Sequence, residues 1–226
     1  MKKSLIITCE HASNAVPPEF EHLFTLGDVE VLASHRGWDP GALDLATNLS
    51  ATLGTPFFRS HVTRLLVEAN RSLHNEQLFS TYTAGLNDED KKYLIDQYYY
   101  PYRKPVEEAI RRLPKPVVHF SIHTFTPVWV DRVRKVDIGL LFDPARSLEF
   151  SVCEQLKTFL QHELKQYVVE FNDPYQGTDD GFTTYLRTFY PDEEYAGIEI
   201  EVNQKYVGTP AWETITTALT LAMKKL

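Results

Sequence analysis

Short apolar runs alternate with longer amphipathic stretches along this chain. This alternation is typical of a mostly parallel sheet covered by helices. The first run, residues 5–9, is almost entirely apolar and predicts a strand that is buried on both faces. Six further runs also predict strands, and we expect all seven to form one large sheet: residues 56–59, 64–67, 117–123, 137–142, 168–171 and 198–202.

The stretches between these runs predict helices. Apolar side chains recur at helical spacing within residues 148–167, and residues 41–53 and 212–226 are also predicted helices. Residues 88–112 have a helical pattern, but we expect Pro101 and Pro105 to break or kink it into two pieces. The predicted fold class is α/β, with a central mostly parallel or mixed sheet between two layers of helices.

Length, composition and charge favour a folded enzyme-sized domain. The 226 residues contain no repeat, low-complexity segment or Gly/Ser linker, so we predict a single domain over residues 1–226. Hydrophobic residues at 43% and charged residues at 24% exclude a disordered, collagenous or coiled-coil chain. The net charge of −8 repels polyanions, so nucleic acid is not an expected partner.

Cysteine content and hydropathy restrict the kinds of site and location. Cys9 and Cys153 are the only cysteines, too few for a disulfide framework or a Cys-rich zinc module, so a metal site must use histidines and carboxylates. No apolar run approaches the roughly 20 residues of a membrane helix. The apolar stretch near the N-terminus is too short for a signal peptide. We therefore expect a soluble, cytoplasmic protein without a membrane partner.

Two histidines stand where predicted strands end, which is where open α/β sheets bind their ligands. His11 leaves the first strand, and His123 lies at the exit of the strand over residues 117–123, on the same face as His119 and Ser121. An imidazole at the exit of a central strand is a suitable zinc ligand. A hydrogen-bonding role in the loop is the alternative for His11.

Asp39 is the candidate for a third ligand. Two imidazoles and one further oxygen or nitrogen ligand leave one position on zinc for water. In the run Trp38-Asp39-Pro40-Gly41, however, Asp39 is equally suited to be the N-cap of the predicted helix, with Pro40 at the first helical position. The sequence leaves both roles open.

Glu199 and Glu201 interrupt the predicted strand at residues 198–202. They lie on one face of that strand, roughly 6.6 Å apart. On a solvated edge strand this alternation would mean only that polar side chains face water. On a covered central strand a carboxylate is costly unless it meets a cation or serves catalysis.

Three arginines are candidates for binding a substrate carboxylate. Arg64 opens a predicted strand, Arg71 follows Asn70 where a strand leads into a loop, and Arg187 follows an acidic segment that begins at Asp179. A guanidinium in a pocket binds a carboxylate through two parallel hydrogen bonds, whereas at the surface it is a solvated charge. Surface placement is the simpler interpretation for each arginine taken alone.

Taken together, these motifs resemble the N-formylglutamate amidohydrolase family. The resemblance implies a phosphorylase/hydrolase-like α/β fold, similar to zinc carboxypeptidases, and metal-dependent hydrolysis of the amide bond of a small N-acyl amino acid such as N-formylglutamate. The matching runs follow in order and cover most of the chain: residues 10–14, 16–17, 38–42, 63–65, 70–72, 119–127, 137–141, 172–175, 180–181 and 198–204.

The resemblance also implies a zinc site. His11 and His123 match the histidines of the family and are implied as ligands of one zinc ion. Asp39 matches an acid suited to the remaining protein ligand, with Glu10 as the alternative. Glu68 stands where the family usually has Asp, which places the chain in a divergent branch.

The remaining implied roles concern catalysis and substrate binding. Glu201 matches a late glutamate of the family and is implied as the general base, while Glu199 either orients a ligand or lines the site. The expected partner is a small molecule with a free carboxylate. The positions suited to binding that carboxylate are Asn70, Arg71, Arg187 and Arg64.

Two other functions are compatible with the sequence. Cys9 beside His11 is a candidate nucleophile for a metal-independent thiol hydrolase, although a cysteine in an apolar strand is usually inert packing. A non-catalytic binding or sensor module on the same fold is the second alternative. The four tyrosines at residues 93 and 98–100 form either an interface of a homo-oligomer, a lid or ordinary packing.

Overall fold

The computed structural model describes residues 3–226 and contains one mixed sheet with a small separate hairpin. Its strands are β1 (Ser4–Cys9), β2 (Phe57–Arg59), β3 (Val117–Phe125), β4 (Val128–Trp129), β5 (Arg132–Val133), β6 (Ile138–Leu141), β7 (Val169–Phe171) and β8 (Tyr195–Asn203). Within the described residues, six of them form the sheet in the order β2-β1-β3-β8-β6-β7. Neighbouring strands from β2 to β8 are parallel, β6 is antiparallel to β8, and β7 is parallel to β6. Strands β4 and β5 pair in the hairpin.

Helices cover both faces of the sheet. They are α1 (Val29–Ala33), α2 (Ala42–Leu53), α3 (Asp88–Leu94), α4 (Tyr100–Arg112), α5 (Ser147–Glu163), α6 (Phe182–Arg187) and α7 (Pro210–Lys224). The apolar stripes of α2, α5 and α7 pack on one face, and α4 and α6 pack on the other. The three-layer α/β architecture expected from the sequence is confirmed. Among residues 3–226, no helix combines the length and the apolar character needed to cross a membrane.

Strand β3 lies in the middle of the sheet and separates apolar from polar side chains. Its residues are all buried. Three of its apolar side chains belong to the core cluster of α2, α5 and α7: Val118, Phe120 and Ile122. Because successive side chains of a strand point to opposite faces, His119, Ser121 and His123 lie on the side of α4 and α6. A polar layer is therefore built into the centre of the fold.

Six of the seven predicted strands are present, but the predicted strand at residues 64–67 is wrong. This segment forms turns outside the sheet. The carbonyls of Leu65 and Leu66 accept hydrogen bonds from the hydroxyls of Ser80 and Thr83. The apolar run is buried as its composition indicates, but side-chain hydroxyls rather than a neighbouring strand satisfy these backbone groups.

The predicted helical stretch at residues 88–112 is not separated into two pieces by its prolines. It runs as α3, a π-helical turn over Ile95–Tyr99, and α4 without interruption. Pro101 lies in the first turn of α4, where a missing N–H group is tolerated. Pro105 lies inside α4, and the chain remains helical through it.

The tyrosines of this stretch pack mainly within the chain. Tyr99 is buried in a third apolar cluster, and Tyr98 and Tyr100 are partly buried against the same cluster. Tyr93 is exposed. Of the alternatives left by the sequence, the structure favours ordinary packing for Tyr98, Tyr99 and Tyr100.

Candidate active site

The carboxyl ends of β1, β3 and β8 meet at one edge of the sheet and bring distant parts of the chain together. His11 follows β1, and on β3 and β8 His123 pairs in register with Glu201. The backbone N–H of Asp39 donates to the carbonyl of His11 at 3.0 Å, which holds the loop before α2 at the same edge. Four side chains predicted for the site therefore converge.

Asp39 is not the N-cap of α2. Gly41 holds that position with φ +87°, a left-handed conformation that glycine adopts without strain. A Cβ atom at Gly41 would lie 2.7 Å from Cγ2 of Val207 and would clash. Because Gly41 takes the capping position, the carboxylate of Asp39 turns towards the histidines instead.

His11, Asp39 and His123 present three ligand atoms to one point. Asp39 Oδ2 lies 3.1 Å from His11 Nδ1 and 2.9 Å from His123 Nδ1. The two Nδ1 atoms are 3.1 Å apart. All three residues are buried. A cation bound between the two Nδ1 atoms and the carboxylate oxygen would stabilise this arrangement.

The other ring nitrogen of each histidine is held by a carboxylate. His11 Nε2 lies 2.5 Å from Glu68 Oε1. His123 Nε2 lies 3.1 Å from Glu10 Oε2 and 2.8 Å from the hydroxyl of Ser121. A carboxylate partner holds the proton on Nε2, so Nδ1 is the nitrogen that a metal would bind after displacing any proton from it. Glu10 therefore lies behind His123, and the structure places Asp39 rather than Glu10 among the candidate ligands.

The chemistry and spacing of these three atoms fit a divalent cation. Imidazole nitrogen and carboxylate oxygen are ligands of zinc-like ions. A tetrahedral ion with bonds of about 2.1 Å needs ligand atoms about 3.4 Å apart, and the separations of 2.9–3.1 Å are a few tenths of an ångström shorter. His11, Asp39 and His123 are thus the residues that could hold one ion.

The buried acids around the histidines dominate the electrostatics. Burial favours the neutral imidazole of His123, yet hydrogen bonds to Asp39 and Glu10 raise its pKa well above the ordinary value. Against the effect of burial, the nearby histidines hold the pKa values of Asp39 and Glu10 well below their usual range. Arg64 and His11 similarly lower the pKa of Glu68 against its burial. The surrounding charges therefore favour a cation at this point.

Glu201 differs from the other acids of the site. It is only 5% exposed, and its Oε2 atom is buried without a hydrogen-bond partner among the described residues. Burial raises the pKa of Glu201 to about 8. Glu199 lies two residues earlier on β8, lines the same cavity and accepts a hydrogen bond from the Thr183 hydroxyl at 2.9 Å. Because β8 is a central strand, these carboxylates are not the polar face of a solvated edge.

A cavity of about 460 Å³ opens above the three candidate ligands. Its size is within the range of small-molecule sites. Both cationic and acidic groups face it. Its lining comprises His11, His35, Arg36, Asp39, Arg64, Leu65, Asn70, Arg71, Gln77, His123, Thr124, Trp129, Tyr175, Gln176, Asp179, Asp180, Glu199 and Glu201.

Asn70, Arg71 and Arg64 reach the cavity, as the sequence predicts, but they differ in their free donors. Arg71 uses Nη1 for the carbonyls of Asn70 and Asp180, both at 2.9 Å. Arg64 is paired with Glu68 at 2.6 Å and lies 3.5 Å from Asp39. Arg71 thus keeps more of its guanidinium available for a ligand.

Arg187 does not reach the cavity. Its guanidinium is held by Glu149 at 2.9 Å and by the carbonyls of Gly177 and Gly197 at 2.5 and 2.7 Å. Its side chain is almost fully buried within the protein. The geometry therefore gives Arg187 a structural role in joining α5, α6 and β8, not the substrate contact expected from the sequence.

The roles of two residues at the site were not identified from the sequence. Glu68 is noted there only as a departure from the family, and no local pattern shows that its carboxylate contacts His11. Trp129 lies on the β4–β5 hairpin, whose turn residues Val130 and Asp131 have positive φ without a glycine. Because hairpin turns of this kind usually contain Asn-Gly or Asp-Gly, the sequence lacks the signal that would have predicted it.

Cys9 is separated from the cavity and belongs to the core cluster of α2, α5 and α7. Burial raises the pKa of its thiol well above the ordinary value. A buried, protonated thiol is a poor nucleophile. The structure therefore favours inert packing for Cys9.

Comparison with known proteins finds solved structures that are similar to this chain. The crystal structure of gene product Atu2144 from Agrobacterium tumefaciens shares 26% identity and a TM-score of 0.85, over 99% of this chain and 90% of that one. The succinylglutamate desuccinylase from Chromobacterium violaceum, with 13% identity and a TM-score of 0.42, covers 99% of this chain and 60% of its own. No curated protein sequence matches the chain.

A family model gives the assignment. The model described as N-formylglutamate amidohydrolase matches residues 3–207, which is most of the chain and includes every candidate residue of the site. The resemblance drawn from the motifs is confirmed. The chain belongs to the N-formylglutamate amidohydrolase family.

Proposed function

We propose that this protein hydrolyses the amide bond of a small N-acyl amino acid with a free carboxylate, and that N-formylglutamate is the first substrate to test. The family match supports hydrolysis of such an amide. The observation that carries the proposal is the convergence of three ligand atoms beside a buried glutamate whose Oε2 has no partner among the described residues.

His11, Asp39 and His123 would hold one divalent ion, for which zinc is the proposed identity. When bound, such an ion lowers the pKa of a water molecule towards about 7 and polarises an acyl oxygen. Glu10 and Glu68 keep both imidazoles in the orientation and tautomer that ligation needs.

Glu201 is the proposed general base. Its side chain lines the cavity, its Oε2 has no hydrogen-bond partner among the described residues, and a cation bound nearby would favour the carboxylate form that accepts a proton from an attacking water. The same carboxyl can then return that proton to the nitrogen of the departing amine. General acid–base catalysis of this kind contributes a factor on the order of 10² to 10⁴ in rate. Glu199, fixed by Thr183, lines the cavity beside it.

Arg71 is the proposed anchor of the substrate carboxylate. Its guanidinium faces the cavity, and a fork of two N–H donors matches the two oxygens of a carboxylate. Asn70 assists from the same loop, since its Oδ1 is held by the backbone N–H of Phe182 at 2.7 Å and its amide nitrogen remains for the ligand. Anchoring the carboxylate orients the amide towards the catalytic groups.

The proposal is tested by metal analysis and a substrate panel. Natively purified protein is analysed for metal and assayed for amine release from N-formyl, N-acetyl and N-succinyl derivatives of glutamate, aspartate and leucine. We expect about one divalent ion per chain and turnover that a chelator abolishes and zinc restores. The derivative of the best substrate in which every carboxylate of the amino acid is converted to a carboxamide is the matched control and should be a poor substrate.

Other outcomes would contradict the proposal. Binding of these compounds without amine release would indicate a binding module. Turnover that is insensitive to chelators but lost on alkylation of Cys9 would indicate a thiol hydrolase. Full activity in a metal-free preparation would likewise exclude the proposed mechanism.

The role of Glu201 is tested with Glu201→Gln, which keeps the size of the side chain but removes its basicity. We expect kcat to fall by a factor on the order of 10² to 10⁴ while the metal content stays unchanged. Glu154→Gln, at an exposed position of α5, is the control and should retain activity. Loss of metal from Glu201→Gln would instead make Glu201 part of the ligand set.

A further inference from the structure

Arg103, on α4, is a buried arginine that lies outside the cavity. It is only 2% exposed, and no carboxylate in the described part of the chain forms an ion pair with it. Its guanidinium carbon instead lies 4.8, 4.2 and 4.3 Å from the ring centres of Tyr99, Phe182 and Tyr185. Aromatic faces attract a desolvated guanidinium. A buried cation without an acid nevertheless requires an explanation, because burial of a charge is costly.

The hydrogen bonds of Arg103 go to the segment that carries the proposed substrate anchor. Nη1 donates to the carbonyl of Arg71 at 3.0 Å and to that of Ala69 at 3.4 Å. The Tyr99 hydroxyl donates to the same Arg71 carbonyl at 2.8 Å. Arg103 and Tyr99 therefore hold the two carbonyls that flank Asn70, and neither of these two residues lines the cavity that Asn70 and Arg71 line.

The aromatic rings around Arg103 reach the same segment from a second direction. Phe182 and Tyr185 belong to α6, and the backbone N–H of Phe182 donates to Asn70 Oδ1 at 2.7 Å. Just before α6, the Asp180 side chain accepts a hydrogen bond from the backbone N–H of Ser72 at 3.0 Å. Arg103 is thus the group that joins α4, α6 and the segment at residues 69–72.

We propose that Arg103 is a positioning residue for substrate binding: it fixes the backbone at residues 69–72 so that Asn70 and Arg71 face the cavity in the geometry that receives a carboxylate. The proposal rests on the proposed function for the identity of the ligand. Nη1 makes both hydrogen bonds while the planar guanidinium packs among three aromatic rings, and the compact ammonium of a lysine does not reproduce this combination. The metal ligands lie on other segments, so the proposal separates substrate binding from metal binding.

The test uses two variants. Arg103→Lys keeps the charge but removes the planar guanidinium, and Tyr99→Phe removes a single hydroxyl and preserves the ring. Arg111→Lys, at an exposed position on the same helix, is the matched control. Three quantities are measured on the full chain: metal content, the kinetic constants with the N-acyl amino acid that the wild type hydrolyses fastest, and hydrogen exchange of the backbone amides at residues 70–72.

We expect the metal content of both variants to match that of the wild type. The kcat of Tyr99→Phe should also be unchanged. KM should rise about tenfold in Arg103→Lys and by a smaller factor in Tyr99→Phe, with faster exchange confined to residues 70–72. Arg111→Lys should change none of these quantities. Unchanged KM and unchanged exchange in both variants would overturn the proposal. A loss of thermal stability with KM unchanged would also overturn it, because it would show a purely structural role.

The exchange measurement keeps the proposal distinct from the proposed function. If the wild type hydrolyses no compound of the panel, the proposed function fails, and exchange at residues 70–72 alone decides whether Arg103 positions this segment. Faster exchange there in Arg103→Lys supports positioning, and exchange equal to that of the control excludes it.

Discussion

His119 and His123 lie on the same face of β3, four residues apart, and both are buried. Their chemical surroundings differ. His119 is hydrogen-bonded to two hydroxyls, with Nε2 2.7 Å from Thr8 Oγ1 and Nδ1 2.8 Å from the Tyr195 hydroxyl. Burial lowers the pKa of His119 to about 4. His119 is therefore a neutral imidazole within a chain of hydroxyl groups.

His123 has nearly the same burial but acidic neighbours. Asp39 and Glu10 contact its two ring nitrogens, and their hydrogen bonds outweigh burial and raise its pKa. Residue type, strand and burial are thus the same for both histidines, and only the partners differ. The comparison teaches that hydroxyl partners make a structural histidine, whereas carboxylate partners on both nitrogens prepare a histidine to bind a cation.

Equivalent substitutions at the two histidines give the strongest test of this comparison. We expect His123→Gln to lose the bound metal and to lower activity by a factor on the order of 10³ or more, since a ligand is removed. His119→Gln should keep its metal, because it touches none of the candidate ligands. Metal analysis and amine release measure both effects. Equal metal loss in the two variants would contradict the distinction between His123 as a ligand and His119 as a structural residue.

The pH dependence of stability tests the neutral state of His119. Its pKa is about 4 in the folded protein, against 6.5 for an unperturbed histidine, so the unfolded chain binds more protons between these values. Holding His119 neutral has no effect on the free energy of unfolding above pH 6.5 and lowers it as the pH falls, by about 3 kcal/mol at pH 4. We expect metal-free His119→Gln to lose less stability than metal-free wild type between pH 7 and 4 in denaturant unfolding. Identical losses would show that His119 is not held neutral.

Removing one hydrogen-bond partner from each histidine sharpens the comparison further. Glu10→Gln replaces the carboxylate behind His123 with a neutral group of the same size, and we expect metal affinity to fall about 10- to 100-fold. Tyr195→Phe removes a partner of His119 and should leave metal affinity unchanged. Titration with zinc in a competing chelator measures both. Equal affinity in Glu10→Gln and wild type would mean that the carboxylate behind His123 does not prepare it for a metal.

The smallest expected effect concerns Ser121, which lies between the two histidines on β3. Its hydroxyl donates to Glu10 and lies 2.8 Å from His123 Nε2. Ser121→Ala should lower metal affinity by about fivefold, the effect of one hydrogen bond worth about 1 kcal/mol. The same chelator titration measures it. A loss as large as that of Glu10→Gln would show that the hydroxyl, and not the carboxylate, orients His123.

The sequence was sufficient for those parts of the fold and site that depend on local pattern. Period-two alternation correctly put His119, Ser121 and His123 on one face of a strand, and strand ends correctly indicated His11. These predictions succeed because strand geometry and the position of ligand sites at strand ends apply to every open α/β sheet.

Predictions that depended on distant partners were less successful. Nothing in the local sequence shows that Glu149, from α5, meets Arg187 and keeps it inside the protein. In the same way, the run at residues 64–67 has the composition of a strand, but hydroxyls from Ser80 and Thr83 bind its carbonyls. Residue type and periodicity indicate whether a segment is buried. They do not indicate which distant group forms hydrogen bonds with its polar atoms.

The guanidinium of Arg71 in the cavity has a consequence for the end of each catalytic cycle. On the proposed reaction, cleavage releases the acyl group and leaves the carboxylate of the amino acid chemically unaltered. The proposed contact of Arg71 with the substrate would therefore retain the freed amino acid as well. We expect accumulating product to compete for the site, so that the rate declines as the reaction proceeds although the protein stays intact.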